Sequence, residues 1–184
     1  MKITGLPLSS YSNTLLQGLT TSEVGSLTSK ELSALSTAQI NVLSTDQIQA
    51  ITASAIVGLT SITSLDASKI FALVTAQIAA LGTGQVGGMS TAQIAALSTD
   101  QIGKLTSTQV VALSTAQVAA IETQDLAKMT TSQIKAMETR DIASFTSAQI
   151  QALTTDQINA LSSSQVKALT TAQLVALTTD QASK

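Results

Sequence analysis

Large aliphatic residues punctuate this chain in a fixed rhythm: one, another five places on, and the pair again every eight residues. Counting each octad from its first large apolar residue, position one is Tyr11, Leu19, Leu27, Leu35, Leu43 and Ile51, then Leu65 and every eighth residue to Leu177. Position six is β-branched or Leu almost throughout, from Leu16, Val24 and Leu32 through Ile94, Ile102 and Val110 to Leu174. Position two is Ser or Thr in 16 of 21 octads, position five is Gln in 14 of 21, and position eight is mostly Ala. The clearest run is residues 89–120, MSTAQIAA, LSTDQIGK, LTSTQVVA and LSTAQVAA, in unbroken phase. Only one six-residue block, Leu59 to Ser64, departs from the period. Repetition this strict makes the chain a repeat architecture before any single residue is considered.

The consensus L-[ST]-T-x-Q-I-x-A reads as a helix start written over and over. A Ser or Thr followed three residues later by Gln or Glu is a capping box, in which the hydroxyl accepts an early backbone N–H and the longer side chain reaches back to the cap. Leu at position one and Ile at position six then form the hydrophobic staple around that cap. Ala, Gln and Leu favour the helix that follows, and the next hydroxyl pair ends it. On this reading Ser114 supplies about 1 kcal/mol as a cap, and Gln117 less. One long helix is disfavoured, because an eight-residue period makes the apolar stripe drift around the axis. A β-solenoid would suit the Thr, Ile and Val content, but Ala and Gln are abundant and no Gly, Asn or Asp holds a fixed turn position.

Helices this short are unstable alone in water, so the octads must stack on one another. The fold class predicted is therefore all-α: a solenoid or superhelix of very short helices, one per octad. At ~100° per residue, position six and the next position one lie close together on the buried edge. Positions four and eight are small and share a second face, predicted to let neighbouring coils approach. Position seven is the most varied and is assigned to solvent, so Lys135 is expected outside and Ile102 in the core. Position four carries a fainter period, Ala92, Asp100, Thr108, then Ala116, Gln124, Ser132. This 24-residue rhythm predicts three octads per superhelical turn, with duplication of a 24-residue unit as the alternative origin.

The chain organises as a cap segment over residues 1–10, MKITGLPLSS, followed by a single repeat array over 11–184. Pro7 stops regular structure in the cap, and no signal peptide is legible there. Glu23 and Glu31 replace Gln in the first octads, as atypical terminal repeats do. Residues 59–88 form an irregular zone: the hexad LTSITS, then Leu81 to Gly88, which holds four of the nine glycines. Those glycines mark a kink or a close contact that only glycine permits. The C-terminal coil, Leu169 to Lys184, leaves Leu169, Leu174 and Leu177 to be covered, which predicts self-association or continuation of a longer array through that end.

Composition narrows function chiefly by exclusion. The chain has no His, Cys or Trp, which removes His/Cys metal sites and His- or Cys-dependent nucleophilic mechanisms. A net charge of −2 with 11% charged residues gives nothing to attract nucleic acid or an anionic membrane. No stretch approaches the ~18 apolar residues of a membrane span, so membrane insertion is not expected. Gly82-Thr83-Gly84 lacks the Lys and the preceding strand of a phosphate loop. Two carboxylate pairs, Glu122 with Asp125 and Glu138 with Asp141, stand where both capping residues are replaced together. They read as variant caps favoured by the helix dipole, the alternative being a calcium or acid/base site without the dense oxygen ligands calcium needs. Asp46, Asp100, Asp156 and Asp180 at position four read as first-turn acids. No catalytic, cofactor-binding or metal residue is assigned, and no cofactor is expected. Ser or Thr also fills position three in 18 of 21 octads. Aligned between coils, these hydroxyls would make a regular face suited to ice or polysaccharide.

The blocks LSTAQIAAL, LSTDQIGKL and LTTDQINAL resemble repeats of very large bacterial surface or secreted exoproteins, labelled as adhesion or haem-utilisation proteins. That resemblance covers about residues 19–184 and implies a structural stalk or adhesin segment at the cell surface or outside it. No haem motif stands in the sequence. LTSTQVVAL is also similar to the start of a TAL-effector DNA-binding repeat, whose unit is much longer and whose surface is basic, and only the capping pattern is shared. The sequence thus points to a non-enzymatic spacer or scaffold, with the hydroxyl-face binding module as the alternative.

Overall fold

A computed structural model describes residues 7–183, so residues 1–6 of the expected cap, and Lys184, lie outside the described part. The chain divides into two compact units, residues 1–89 and 90–184. The described residues form twenty-one α-helices of four to six residues and no strand. In the first unit these are α1 (Asn13–Gln17), α2 (Thr21–Gly25), α3 (Ser29–Ser33), α4 (Thr37–Asn41) and α5 (Thr45–Ala50). They are followed by α6 (Ala53–Ile56), α7 (Ala67–Ala72), α8 (Thr75–Ala80) and α9 (Thr83–Gly87). The second unit holds α10 (Thr91–Ala95), α11 (Thr99–Gly103), α12 (Ser107–Val111), α13 (Thr115–Ala119), α14 (Thr123–Leu126) and α15 (Thr131–Ala136). It continues with α16 (Thr139–Ala143), α17 (Ser147–Ala152), α18 (Thr155–Asn159), α19 (Ser163–Lys167), α20 (Thr171–Ala176) and α21 (Thr179–Ala182). Each full octad contributes one helix, and the fold is an all-helical repeat solenoid.

Within each unit a helix packs on the one three places further along. In the second unit α10 meets α13, α11 meets α14, α12 meets α15, and the series runs on to α18 with α21. In the first, α1, α2 and α3 meet α4, α5 and α6. Three octads therefore make one turn, so the 24-residue period has geometric meaning. The hexad keeps this count by forming a 3₁₀ segment, Thr60–Ser64, in place of an α-helix. It lies against α3, α4 and α9, while α5 and α6 skip over it to meet α7 and α8. Ile62 stands in for position six and Leu59 for position one, both fully buried.

Positions six and one form the core as expected. From Leu16 to Ile150 no position-six residue is more than 1% exposed, Ile102 included, whereas Lys135 faces solvent. Position four is exposed in every octad, against the expected small face shared with position eight. The space assigned to it belongs instead to position five, where Gln is buried almost throughout. Five thus lies beside six and one on the inner surface, and the buried face is wider than an apolar stripe alone suggests.

Two glycines are fixed by close approach. A Cβ on Gly58 would lie 1.9 Å from the carbonyl oxygen of Ser29 and 2.5 Å from its carbon, so only a bare backbone fits. In the irregular zone a Cβ on Gly88 would meet Thr63 Cγ2 at 2.9 Å and the Gly84 carbonyl oxygen at 3.0 Å, a close contact that Gly82 and Gly84 do not share. Gly84, inside α9, faces open space. Gly58→Ala is expected to destabilise by about 1–3 kcal/mol or more through backbone overlap. Gly84→Ala should stabilise by about 0.5–1 kcal/mol through helix propensity. Urea unfolding of the two variants beside the parent checks the opposite signs.

Candidate functional site

The one polar feature repeated in the interior is the position-five glutamine. Gln157 shows the arrangement: its Oε1 accepts the Thr154 backbone N–H at 2.8 Å, while its own backbone N–H donates to Thr154 Oγ1 at 3.2 Å. That is the predicted capping box. The amide nitrogen then does something further, donating to the carbonyls of Leu126 at 2.9 Å and Met129 at 2.6 Å, one turn of the solenoid earlier. Gln133 reaches Ile102 and Leu105 in the same way, Gln173 reaches Ile142 and Phe145, and Gln47 reaches Leu16 and Leu19. In these the targets are a position-six carbonyl and the position-one carbonyl after it, whereas Gln39 reaches Ser9 and Tyr11. Intrahelical bonds already serve position six, as where Leu161 N–H donates to Ile158, but they end before the link. The glutamine supplies the link carbonyl with a donor, as a buried backbone group requires.

The ladder also crosses the hexad. Gln77 donates to Ile48 and Ile51 at 2.7 Å each, and Gln85 to Ile56 and Leu59, each step shortened by the two missing residues. Lys69 holds position five in α7, and its ammonium donates to the Leu43 carbonyl, a position-one target. At Val74 and Gly82, which have no hydroxyl, only the glutamine half of the cap is made, by Gln77 at 2.8 Å and Gln85 at 2.7 Å. Ser114 is exposed, whereas Gln117 is 3% exposed, so burial argues for the larger cost at Gln117, against the ranking expected from capping alone. The signal in the sequence was the preference for Gln over Glu. Either residue completes a capping box, but only the amide also donates.

The two carboxylate pairs occupy the same structural position and do different things. Asp125 and Asp141 are buried at position five, 2% and 0% exposed. Asp141 Oδ2 accepts the Glu138 backbone N–H at 3.2 Å, a variant cap as expected, and Arg140 Nε stands 3.7 Å from its Oδ1. Arg140 Nε also pairs with Glu138 at 2.8 Å. Asp125 makes no such cap; Thr99 Oγ1, in α11 of the preceding turn, donates to its Oδ1 at 2.7 Å. Burial pushes both carboxyls above the usual range: for Asp125 the Thr99 bond offsets this and nearby Glu122 adds to it. For Asp141 the Glu138 N–H and Arg140 offset it, and Glu138 works against them. Glu122 and Glu138 themselves are exposed, as are Asp46, Asp100, Asp156 and Asp180 in their first helical turns. Among the described residues no three His, Cys, Asp or Glu side chains cluster as a metal would need. No described helix is long and apolar enough to cross a membrane. The position-three hydroxyls lie at the surface, exposed at Thr21, Thr37, Thr91, Thr131 and Thr171 and half-buried at Thr99 and Thr115.

A capped short helix, a buried aliphatic pair and an amide rung to the previous turn, repeated every eight residues, define an octapeptide-repeat α-solenoid. The chain belongs to the ALTTAQ repeat family, which it matches over residues 24–61, 80–115, 118–155, 134–171 and 155–184. The motif stands verbatim at Ala168 to Gln173 and spans the link, the cap and the rung. No curated protein matches the chain.

Two outcomes follow from this geometry. Thr154→Ala should cost about 1 kcal/mol, whereas Gln157→Glu, which can still accept at its cap, should cost about 2 kcal/mol or more by removing a buried donor and adding a buried charge. Thermal unfolding at pH 7 reads the order. For the aspartates, a carboxyl whose folded pKa is raised loses stability as pH rises through that folded value and recovers it below the unfolded one. The stabilisation of an Asp125→Asn, Asp141→Asn variant over the parent should therefore be largest at pH 7 and shrink on acidification. A gap that widens toward acid would overturn the assignment.

Proposed function

We propose that the chain is a non-enzymatic structural module, a rigid spacer or scaffold, serving as a stalk segment in a bacterial surface or secreted assembly. The observation that carries this is the inward turn of the repeated polar chemistry. Cap hydroxyls and amides at positions two and five are spent on the chain's own backbone, tying each turn to the one before. A ladder of short buried hydrogen bonds beside an aliphatic core resists bending and extension, which is what a spacer must do. The surface or secreted setting rests on the resemblance of LSTAQIAAL and LTTDQINAL to exoprotein repeats. A net charge of −2 gives no electrostatic pull toward nucleic acid or an anionic membrane.

The test is mechanical. With handles at its two ends in an optical trap, a spacer should keep its length as load rises and then lengthen in abrupt cooperative steps. Gradual lengthening from the lowest loads would exclude a load-bearing role. A second reading uses the surface hydroxyls at position three, which the caps leave available at Thr37, Thr91 and Thr131. Co-sedimentation with insoluble polysaccharide, and inhibition of ice recrystallisation, would favour that binding role over the spacer.

A further inference from the structure

The face formed by α19, α20 and α21 presents the acceptor half of a rung to whatever lies against it. Position six is at most 1% exposed as far as Ile150, but Val166 is 46% exposed and Leu174 49%, and Ile158 is half-buried. Leu161, Leu169 and Leu177, the corresponding position-one residues, are half-buried. The carbonyl pairs Ile158/Leu161, Val166/Leu169 and Leu174/Leu177 repeat the spacing of Ile150/Leu153, which Gln181 bonds at 2.8 and 2.6 Å. No glutamine among the described residues donates to those three pairs.

The first turn of the first unit differs in its chemistry. Position five there is Leu15, Glu23 and Glu31. Glu31 closes its own cap, accepting the Thr28 N–H and the Thr28 hydroxyl at 2.7 Å each, and Glu23 does the same with Thr20 at 2.9 Å. A carboxylate can complete that box but has no amide to donate onward. Among the described residues the α1–α3 turn thus offers no position-five amide, while the α19–α21 turn offers acceptor carbonyls beside an open aliphatic edge.

We infer that the α19–α21 face is a docking surface for a further turn of octads bearing Gln at position five and aliphatic residues at positions six and one. Deepening the stalk reading, the contact continues the interface that already joins each turn of the second unit to the next. The N-terminal turn of a second copy does not qualify, because Leu15, Glu23 and Glu31 leave the position-one carbonyls without donors. Specificity lies in the amide, since the aliphatic edge alone would accept any apolar partner.

The experiment uses the full chain in three forms: unchanged, with a copy of residues 153–176 joined in phase after Lys184, and with the same copy carrying Glu for its three glutamines. The glutamine copy should raise the unfolding midpoint at pH 7 by about 5 °C or more and slow amide exchange over residues 158–177 at least ~10-fold. The glutamate copy keeps every apolar residue and its caps, so at pH 7 it should do neither. At a pH low enough to protonate its carboxyls, which can then donate, part of the protection should return. Equal behaviour of the two copies at pH 7 would overturn the amide requirement, and no protection from either would overturn the docking surface. Concentration-dependent light scattering by the unchanged chain would also overturn it, since a second copy would then be a sufficient partner. None of these readouts depends on stiffness under load, so the spacer reading and this one can fail separately.

Discussion

Everything in this fold hangs on a primary amide that accepts at one atom and donates at the other. The glutamine oxygen takes the free N–H of its own helix start, and its nitrogen serves the free carbonyl in the turn below. Both are backbone groups that five-residue helices leave over in abundance, because such a helix has more unpaired ends than paired middle. A solenoid of one-turn helices would otherwise bury those ends unsatisfied, at about 1–3 kcal/mol each. Other side chains manage only half of the task. Glutamate accepts, as Glu31 does at its cap; lysine donates, as Lys69 does to Leu43; aspartate is a methylene shorter and accepts at most.

The exceptions show how much the array tolerates. Ala55 fills the position with a methyl and stays buried, next to the hexad and Gly58, where the backbone of Ser29 comes too close for any side chain. The hexad removes two residues and still keeps the rungs, since Gln77 and Gln85 find their targets two residues nearer in sequence. What is kept from turn to turn is the three-dimensional placement of an amide over a link, which survives a change in the number of residues between them. Beyond the first turn, Asp125 and Asp141 put an accepting group on a donor's rung; Thr99 donates to Asp125, while Arg140 only stands 3.7 Å from Asp141 Oδ1, which has no hydrogen-bond partner among the described residues.

Much of this was legible from residue order. Capping boxes, one helix per octad, the Leu and Ile core, the solvent side of position seven and three octads per turn all follow from local periodicity. The role of glutamine did not, because its second partner lies 28 to 31 residues earlier and local patterns carry no such distance. Placing position four against a neighbouring coil failed for a related reason. Residue size suggested close packing, but the space beside the core was already filled by a polar side chain counted as surface. The excess of Gln over Glu was the available sign, since the capping box alone is indifferent between them. The aspartate pairs could be located but not assigned: nothing local distinguishes Asp141, which caps its helix, from Asp125, which turns to the previous turn.

The same amide bears on what the molecule can be for. A binding surface needs polar groups held ready for a partner, whereas positions two and five hold theirs for the backbone. What remains outward is position three, with a hydroxyl in 18 of 21 octads, and positions four and seven, which vary from Ala to Asp to Lys without a stripe. A face that changes while the inner face stays fixed is the pattern of a scaffold held to its geometry and free in its surface. The direction built into the rungs adds to this. Each rung runs one way, from an amide in one turn to carbonyls in the turn before it, so within a unit the contact between turns is set by where the amide stands as well as by the aliphatic edge.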